Sequence, residues 1–117
     1  MQSVVVLPVE QITDWVSFHS VFRRVFGFPE FYGCNMNAWI DCMTSLDAPN
    51  DGLTAITVEN GGMLTLRVDH AFEFKKRCPE QFDALIECSA FVNYRRVEVG
   101  EPPILALLLI GFALQSR

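Results

Sequence analysis

Residues 28–46, FPEFYGCNMNAWIDCMTSL, combine aromatic, amide and apolar side chains with a single aspartate, Asp41. The stretch contains no lysine or arginine. Aromatic and apolar groups around one charged residue are typical of the energetic centre of a protein-binding surface. The chemistry that these residue types favour is therefore recognition of another protein, with Asp41 at the centre of the contact.

Helical spacing divides this stretch into two faces. Asn35 suits the N-cap position, because its amide oxygen can accept a hydrogen bond from a free N–H of the first turn. One face is apolar and is predicted to be buried, and it carries Trp39, Cys42, Met43 and Leu46. The opposite face is predicted to be exposed, and it carries Asn37, Ile40, Asp41 and Thr44. Phe31 and Met36, in the preceding turn and at the helix start, would extend this exposed face.

Spacing alone leaves two interpretations of the stretch open. Single exposed isoleucines are common in proteins, and Phe31 or Tyr32 could close the core instead of facing a partner. The combination of aromatic, apolar and amide groups around Asp41 favours a binding face.

Acidic residues are concentrated in one part of the chain. The formal net charge is −5, and no lysine or arginine occurs between Arg24 and Arg67. The acids inside that span are Glu30, Asp41, Asp47, Asp51 and Glu59. The span is compatible with an ordinary solvated surface, but its negative field would also steer a basic partner. Direct nucleic-acid binding is disfavoured, because neutralising phosphates requires a basic patch.

Strands alternate with helices along the chain, which predicts an α/β layered fold. SVVVL near the start and ILALLLI from Ile104 are typical of strands buried on both faces of a parallel sheet. A first helix is predicted from Thr13 or Asp14 to Gly27, and a long helix from Pro79. The residues of the long helix predicted to face inward are Phe82, Leu85, Ile86, Ser89, and Val92 or Asn93.

The middle of the chain predicts a hairpin. LTAITVE, residues 53–59, alternates like a strand, and Asn60-Gly61-Gly62 is a typical hairpin turn. We therefore expect an added antiparallel strand near residues 63–68. A short helix should follow, with Asp69 as its N-cap.

The 117 residues fit a single domain spanning 1–117. No basic stretch precedes VVVL, and the apolar run from Ile104 to Leu114 is shorter than the roughly 20 residues that cross a bilayer. We therefore expect a cytoplasmic protein without membrane contact. The four cysteines, Cys34, Cys42, Cys78 and Cys88, lack metal-site spacing. Reduced thiols, and neither metal nor cofactor, are expected.

Catalysis has little support in the sequence. His19 and His70 are the only histidines, and neither belongs to a nucleophile, metal or phosphate-loop motif. His19 is predicted to pack within the first helix, and His70 to be solvated beside a helix cap. We therefore expect a binding protein and not an enzyme.

Residues 19–44 carry the pattern Pro-Glu-aromatic-Tyr-Gly-x-Asn-x-x-Ala-x-x-Asp-Cys-x-Thr without gaps. This pattern resembles the barstar family of intracellular inhibitors of the ribonuclease barnase. The resemblance is clear from about residue 10 to residue 44 and extends to the second and last strands. It implies a small barstar-like α/β fold in which helices cover a parallel three-stranded sheet.

The same resemblance implies roles for individual residues. Asp41 would enter the phosphate-binding site of a nuclease, so that its carboxylate takes the place of an RNA phosphate. Gly33 and Asn35 match positions of the binding loop, Phe31 stands for a contacting tyrosine, and Thr44 matches the rim of the contact.

Several positions depart from the family pattern. Asn37 stands where the family has a second contacting aspartate, and Ile40 where it has a tryptophan. Cys34 replaces a glutamate, and Leu46 replaces another tryptophan. An acidic contact from the last long helix is also implied, and Glu87 is the candidate for it. These departures predict an inhibitor adapted to a toxin other than barnase.

The expected partner is a basic ribonuclease or nuclease toxin, bound by a chain that is monomeric when free. The alternative is an acidic binding module, or an immunity protein for a non-nuclease toxin or regulatory partner.

Overall fold

The computed structural model describes residues 3–111, and within that range the chain has mixed helix and strand content. The strands are β1 (Ser3–Val6), β2 (Leu64–Val68) and β3 (Leu105–Leu109). The α-helices are α1 (Trp15–Phe26), α2 (Met36–Thr44), α3 (Ala71–Arg77) and α4 (Pro79–Glu98). Short 3-10 turns occur at Val9–Gln11 and Pro49–Asp51. The predicted α/β class is confirmed, and the end of the apolar run, residues 112–114, lies outside the described range.

The three strands form one parallel sheet in the order β1-β2-β3. Ser3 lies opposite Leu64, and Leu64 lies opposite Leu105. The expectation of an antiparallel strand near residues 63–68 is therefore wrong, because β2 is parallel to both neighbours and occupies the centre of the sheet. The predicted parallel three-stranded sheet is confirmed.

Residues 53–59 do not form the predicted strand, and two of their backbone amides bond to carbonyls at or just after the ends of α1 and α2. The Ala55 amide donates to the Phe26 carbonyl at 2.8 Å, and the Val58 amide donates to the Leu46 carbonyl at 2.9 Å. The predicted turn does form, since the Gly62 amide donates to the Glu59 carbonyl at 2.8 Å. It connects an irregular segment to β2 and not two paired strands.

The helices cover one face of the sheet. Leu64 and Leu66 of β2 are fully buried, whereas Val4 and Val6 of β1 and Leu108 of β3 are about half exposed. The expectation that the first and last strands are buried on both faces is therefore wrong. Both are edge strands, and alternate side chains of an edge strand can point away from the helical layer.

Local capping explains where α1 begins and ends. The Asp14 carboxylate accepts a hydrogen bond from the Ser17 amide at 2.8 Å. Gly27 ends the helix at a φ of +67°, and a Cβ there would lie 2.5 Å from the Cβ of Ala55. The position therefore requires glycine both for its backbone conformation and for space.

Two predictions about the later helices are wrong. His70, and not Asp69, precedes α3, because the Asp69 carboxylate pairs with Nε of Arg67 at 2.8 Å. Ile86 of α4 is partly exposed, although Phe82 and Leu85 are buried as predicted. No helix within residues 3–111 is long and apolar enough to cross a membrane.

Aromatic side chains join α1 to α2 in the core. Phe18, Phe22, Phe26 and Trp39 are fully buried. The rings of Phe22 and Trp39 meet edge to face, with centroids 5.5 Å apart. Burying such a side chain contributes about 2–3 kcal/mol, so this contact fixes the orientation of α2.

Candidate protein-binding face

The inward stripe of α2 is confirmed, since Trp39, Cys42, Met43 and Leu46 are all buried. The N-cap is confirmed as well. The Asn35 side-chain oxygen accepts from the Ala38 amide at 2.8 Å, and its nitrogen donates to the Gly33 carbonyl at 3.2 Å. The cap therefore joins the helix to the turn before it, and Asn37 and Asp41 on the opposite side of α2 are exposed.

Gly33 gives the cap the space that it needs. A Cβ at this position would lie 3.1 Å from the side-chain nitrogen of Asn35 and 3.6 Å from the Cβ of Ala38. A larger residue would press on the capping amide. Gly33 therefore helps to set the shape of the turn that leads into α2.

Tyr32 anchors the turn before α2, residues 29–35, to α1. This segment is the entry turn. The Tyr32 hydroxyl lies 2.6 Å from Nδ1 of His19, and both side chains are buried. Burial raises the pKa of Tyr32 and lowers the pKa of His19, so both groups are held neutral at pH 7. The predicted packing role of His19 is thus confirmed. Of the two aromatics in the turn, Tyr32 closes the core, whereas Phe31 is 78% exposed.

Asp41 lies on the outward side of α2, and 64% of its side chain is exposed. One carboxylate oxygen is 3.0 Å from Nη1 of Arg95, whose side chain is 42% exposed. This pair was not predicted from the sequence. The two residues are 54 positions apart, and no local pattern links them.

The other predicted members of the face differ in exposure. Asn37 is exposed, and Met36 and Thr44 are half-buried. The Thr44 hydroxyl donates to the Ile40 carbonyl at 2.6 Å, a bond within the helix. Ile40 was expected on the exposed face but is only 7% exposed, so that expectation is wrong. Ile40 belongs to the core cluster, and α2 as a whole packs against α4.

A groove of about 340 Å³ lies between the entry turn and α2. Its lining residues are Pro29, Phe31, Tyr32, Gly33, Ala38, Asp41, Cys42 and Leu53. The groove is mainly apolar, and Asp41 is its charged lining residue. A groove with this composition can receive a side chain that has an apolar stem and a cationic end.

Arg96 fixes the end of α2 to α4. Its guanidinium donates to the Thr44 carbonyl at 2.9 Å and to both Asp47 oxygens at 3.0 and 2.7 Å. The side chains of Arg96 and Asp47 are only 3% and 10% exposed. The negative charge of Asp47 is therefore balanced by Arg96 within the protein. Glu30, Asp51 and Glu59 are exposed.

The four cysteines are free, and two of them lie near the face. Cys34 is exposed in the entry turn with a φ of +53°. Burial, with a smaller contribution from the Asp41 charge, raises the pKa of Cys42 to about 11. Cys42 is therefore an unreactive core thiol. Within residues 3–111, no cluster of three or more potential metal ligands occurs.

Comparison with protein families finds a match to the model described as Barstar (barnase inhibitor), over residues 2–103. The chain belongs to the barstar family. Proteins of the barstar family are inhibitors and not enzymes. No curated protein matches the chain.

Barstar-family membership extends the resemblance seen in the sequence. The match includes β1, the entry turn, α2 and α4, and also the middle segment in which the hairpin was wrongly expected. All eight residues predicted to bind a partner, Phe31, Gly33, Asn35, Met36, Asn37, Ile40, Asp41 and Thr44, lie inside the matched region. The structure brings them together on α2 and its entry turn, with Ile40 beneath the surface.

Proposed function

We propose that this barstar-family protein is an intracellular inhibitor of a basic bacterial ribonuclease or nuclease toxin. The face defined by the entry turn and the outward side of α2 covers the enzyme's active site. The carboxylate of Asp41 occupies the position of an RNA phosphate among the basic side chains of the enzyme.

The observation that carries the proposal is the presentation of Asp41. Its carboxylate is exposed on a helix whose other side is buried in the core through Trp39, Cys42 and Met43. An anionic group on a rigid element loses little conformational entropy on binding. It is therefore a suitable anchor for a cationic site, and basic groups that bind phosphate also bind carboxylates.

The surroundings of Asp41 support the same function. Phe31 is exposed and lines the groove. Asn37 is exposed in the first turn of α2, one turn before Asp41. Aromatic and amide groups of this kind exclude water and supply hydrogen bonds around a central charged contact.

The test is inhibition of RNA cleavage by purified barnase and other barnase-type ribonucleases, with Asp41→Ala compared with the parent chain. For any enzyme that the parent inhibits, we expect Asp41→Ala to cost about 2 kcal/mol or more, roughly 30-fold in the inhibition constant. Asp51→Ala is the matched control, because it removes the same charge from an exposed 3-10 turn. Equal inhibition by Asp41→Ala and the parent would refute the phosphate-mimic role.

The pair between Asp41 and Arg95 favours a second candidate, because a cation beside the key acid makes the face less negative. In that case the chain is a binding module, or an immunity protein for a non-nuclease toxin or regulatory partner. The two candidates separate in one assay, since the second predicts binding to a protein without inhibition of RNA cleavage.

A further inference from the structure

The ion pair on the candidate face joins two helices and leaves both charges accessible. One oxygen of Asp41 accepts a hydrogen bond from one guanidinium nitrogen of Arg95, so the ion pair is monodentate and not bidentate. The second carboxylate oxygen and the other guanidinium donors remain available, because both side chains are substantially exposed. The surface therefore presents a negative and a positive group side by side.

Aromatic side chains continue this surface along α4. Phe91 lies one helical turn before Arg95, and therefore on the same side of α4. Its ring stacks on that of Tyr94 with centroids 6.2 Å apart, and each side chain is about half exposed. The Tyr94 hydroxyl donates to the Glu98 carboxylate. Tyrosine, phenylalanine and arginine are enriched in the cores of protein interfaces.

We propose that Arg95 is a specificity residue which binds a carboxylate of the partner at the α4 edge of the candidate face. This inference rests on the proposed function. The partner is then a nuclease whose basic site has an acidic side chain beside it, and not one whose site is rimmed by basic groups alone.

Alternation of charge across the contact is the physical reason why Arg95 would bind an acidic group of the partner. A partner cation that binds the free oxygen of Asp41 comes close to the positive Arg95, and like charges at such a distance repel. A partner carboxylate on the outer side of Arg95 removes that repulsion and adds a charge-assisted hydrogen bond. The resulting order is partner cation, Asp41, Arg95, partner anion.

The geometry favours this arrangement over a role of Arg95 as a competitor that must leave. A bidentate pair would occupy both Asp41 oxygens and would have to break before a partner bound. The single contact can persist in the complex, so Arg95 can hold Asp41 in position while it binds its own partner group.

The test uses each barnase-type ribonuclease that the parent inhibits and that Asp41→Ala inhibits more weakly. For these enzymes, the inhibition constants of Arg95→Ala, Arg95→Glu and the parent should be compared. We expect Arg95→Ala to bind about 10-fold more weakly and Arg95→Glu about 100-fold more weakly. Arg23→Ala removes one exposed positive charge from α1 and should bind as the parent does. Arg95→Glu should recover affinity when the enzyme's facing acid is changed to lysine.

Equal inhibition by Arg95→Ala would overturn the inference by showing that Arg95 adds nothing to binding, and tighter inhibition would overturn it by showing that Arg95 competes for Asp41. If Asp41→Ala inhibits an enzyme as strongly as the parent does, the proposed function is refuted instead. If the parent inhibits none of the enzymes, the proposed function fails and this inference fails with it. The double variant Asp41→Arg/Arg95→Asp keeps the surface pair and should fold, which separates loss of binding from loss of structure.

Discussion

Single side chains in the entry turn show how the fold holds the candidate face. His19 and Tyr32 form a buried hydrogen bond at 2.6 Å, and Phe31 between Tyr32 and the start of the turn stays exposed. Burial depresses the pKa of His19 below its ordinary value of 6.5. The neutral imidazole is therefore part of what keeps the turn against α1.

This depressed pKa predicts a loss of stability in mild acid. The unfolded chain takes up the His19 proton at a higher pH than the folded chain. The contribution to the free energy of unfolding is thus complete above about pH 6.5 and is lost as pH falls below it. Urea unfolding at pH 7, 6 and 5 should show that the free energy of unfolding falls more steeply with decreasing pH for the parent than for His19→Gln. Parallel declines for both proteins would contradict the prediction.

At the scale of secondary-structure elements, α2 is fixed at both ends by different means. Asn35 caps its start by a local hydrogen bond, whereas Arg96 of α4 holds its final carbonyl and Asp47. The position of Asp41 therefore depends on how α2 and α4 pack. Neighbouring arginines of α4 have different roles, with Arg96 buried and Arg95 exposed.

The neighbouring arginines give a matched stability test. Arg96→Met leaves Asp47 buried without its partner, so we expect the free energy of unfolding to fall by about 3–5 kcal/mol. Arg95→Met breaks an exposed pair and should cost about 1 kcal/mol or less. Urea unfolding measures both, and similar losses for the two variants would contradict the predicted roles. If Arg96→Met does not fold, Arg96→Met/Asp47→Leu should restore folding, because it removes the unpaired buried charge.

At the scale of the whole molecule, the charges lie unevenly. The chain carries a net charge of −5, and the span from residue 25 to residue 66 contains acids but no lysine or arginine. The structure pairs Asp41 and Asp47 with arginines of α4. The exposed acids Glu30, Asp51 and Glu59 are left as the main source of the negative field in that span.

This field predicts that salt slows association with a basic enzyme. Raising ionic strength from about 0.05 to 0.5 M should lower the association rate constant roughly 10-fold or more, because long-range attraction is screened. Stopped-flow measurements should show a weaker salt effect for Glu30→Gln/Asp51→Asn/Glu59→Gln. Glu10→Gln/Glu73→Gln/Asp83→Asn is the control, since it removes the same charge from exposed sites in the first 3-10 turn, α3 and α4. An association rate that does not respond to salt would contradict steering.

The sequence by itself determined the features that short stretches encode. The cap at Asn35 and the glycine end of α1 follow from contacts within about four residues, and the buried stripe of α2 follows from helical spacing. For the N-cap of α1 the sequence left Thr13 and Asp14 open, and the structure places it at Asp14. The contiguous pattern from Pro29 to Thr44 also determined the family, because it needs no knowledge of distant contacts.

Only the tertiary structure decided which distant segments meet. It placed β2 parallel at the centre of the sheet, buried Ile40 in the core, and set Arg95 against Asp41. Strand direction depends on which neighbours satisfy the backbone hydrogen bonds, and the exposure of a helical residue depends on what packs over it. Those partners lie tens of residues away, so local spacing could not specify them.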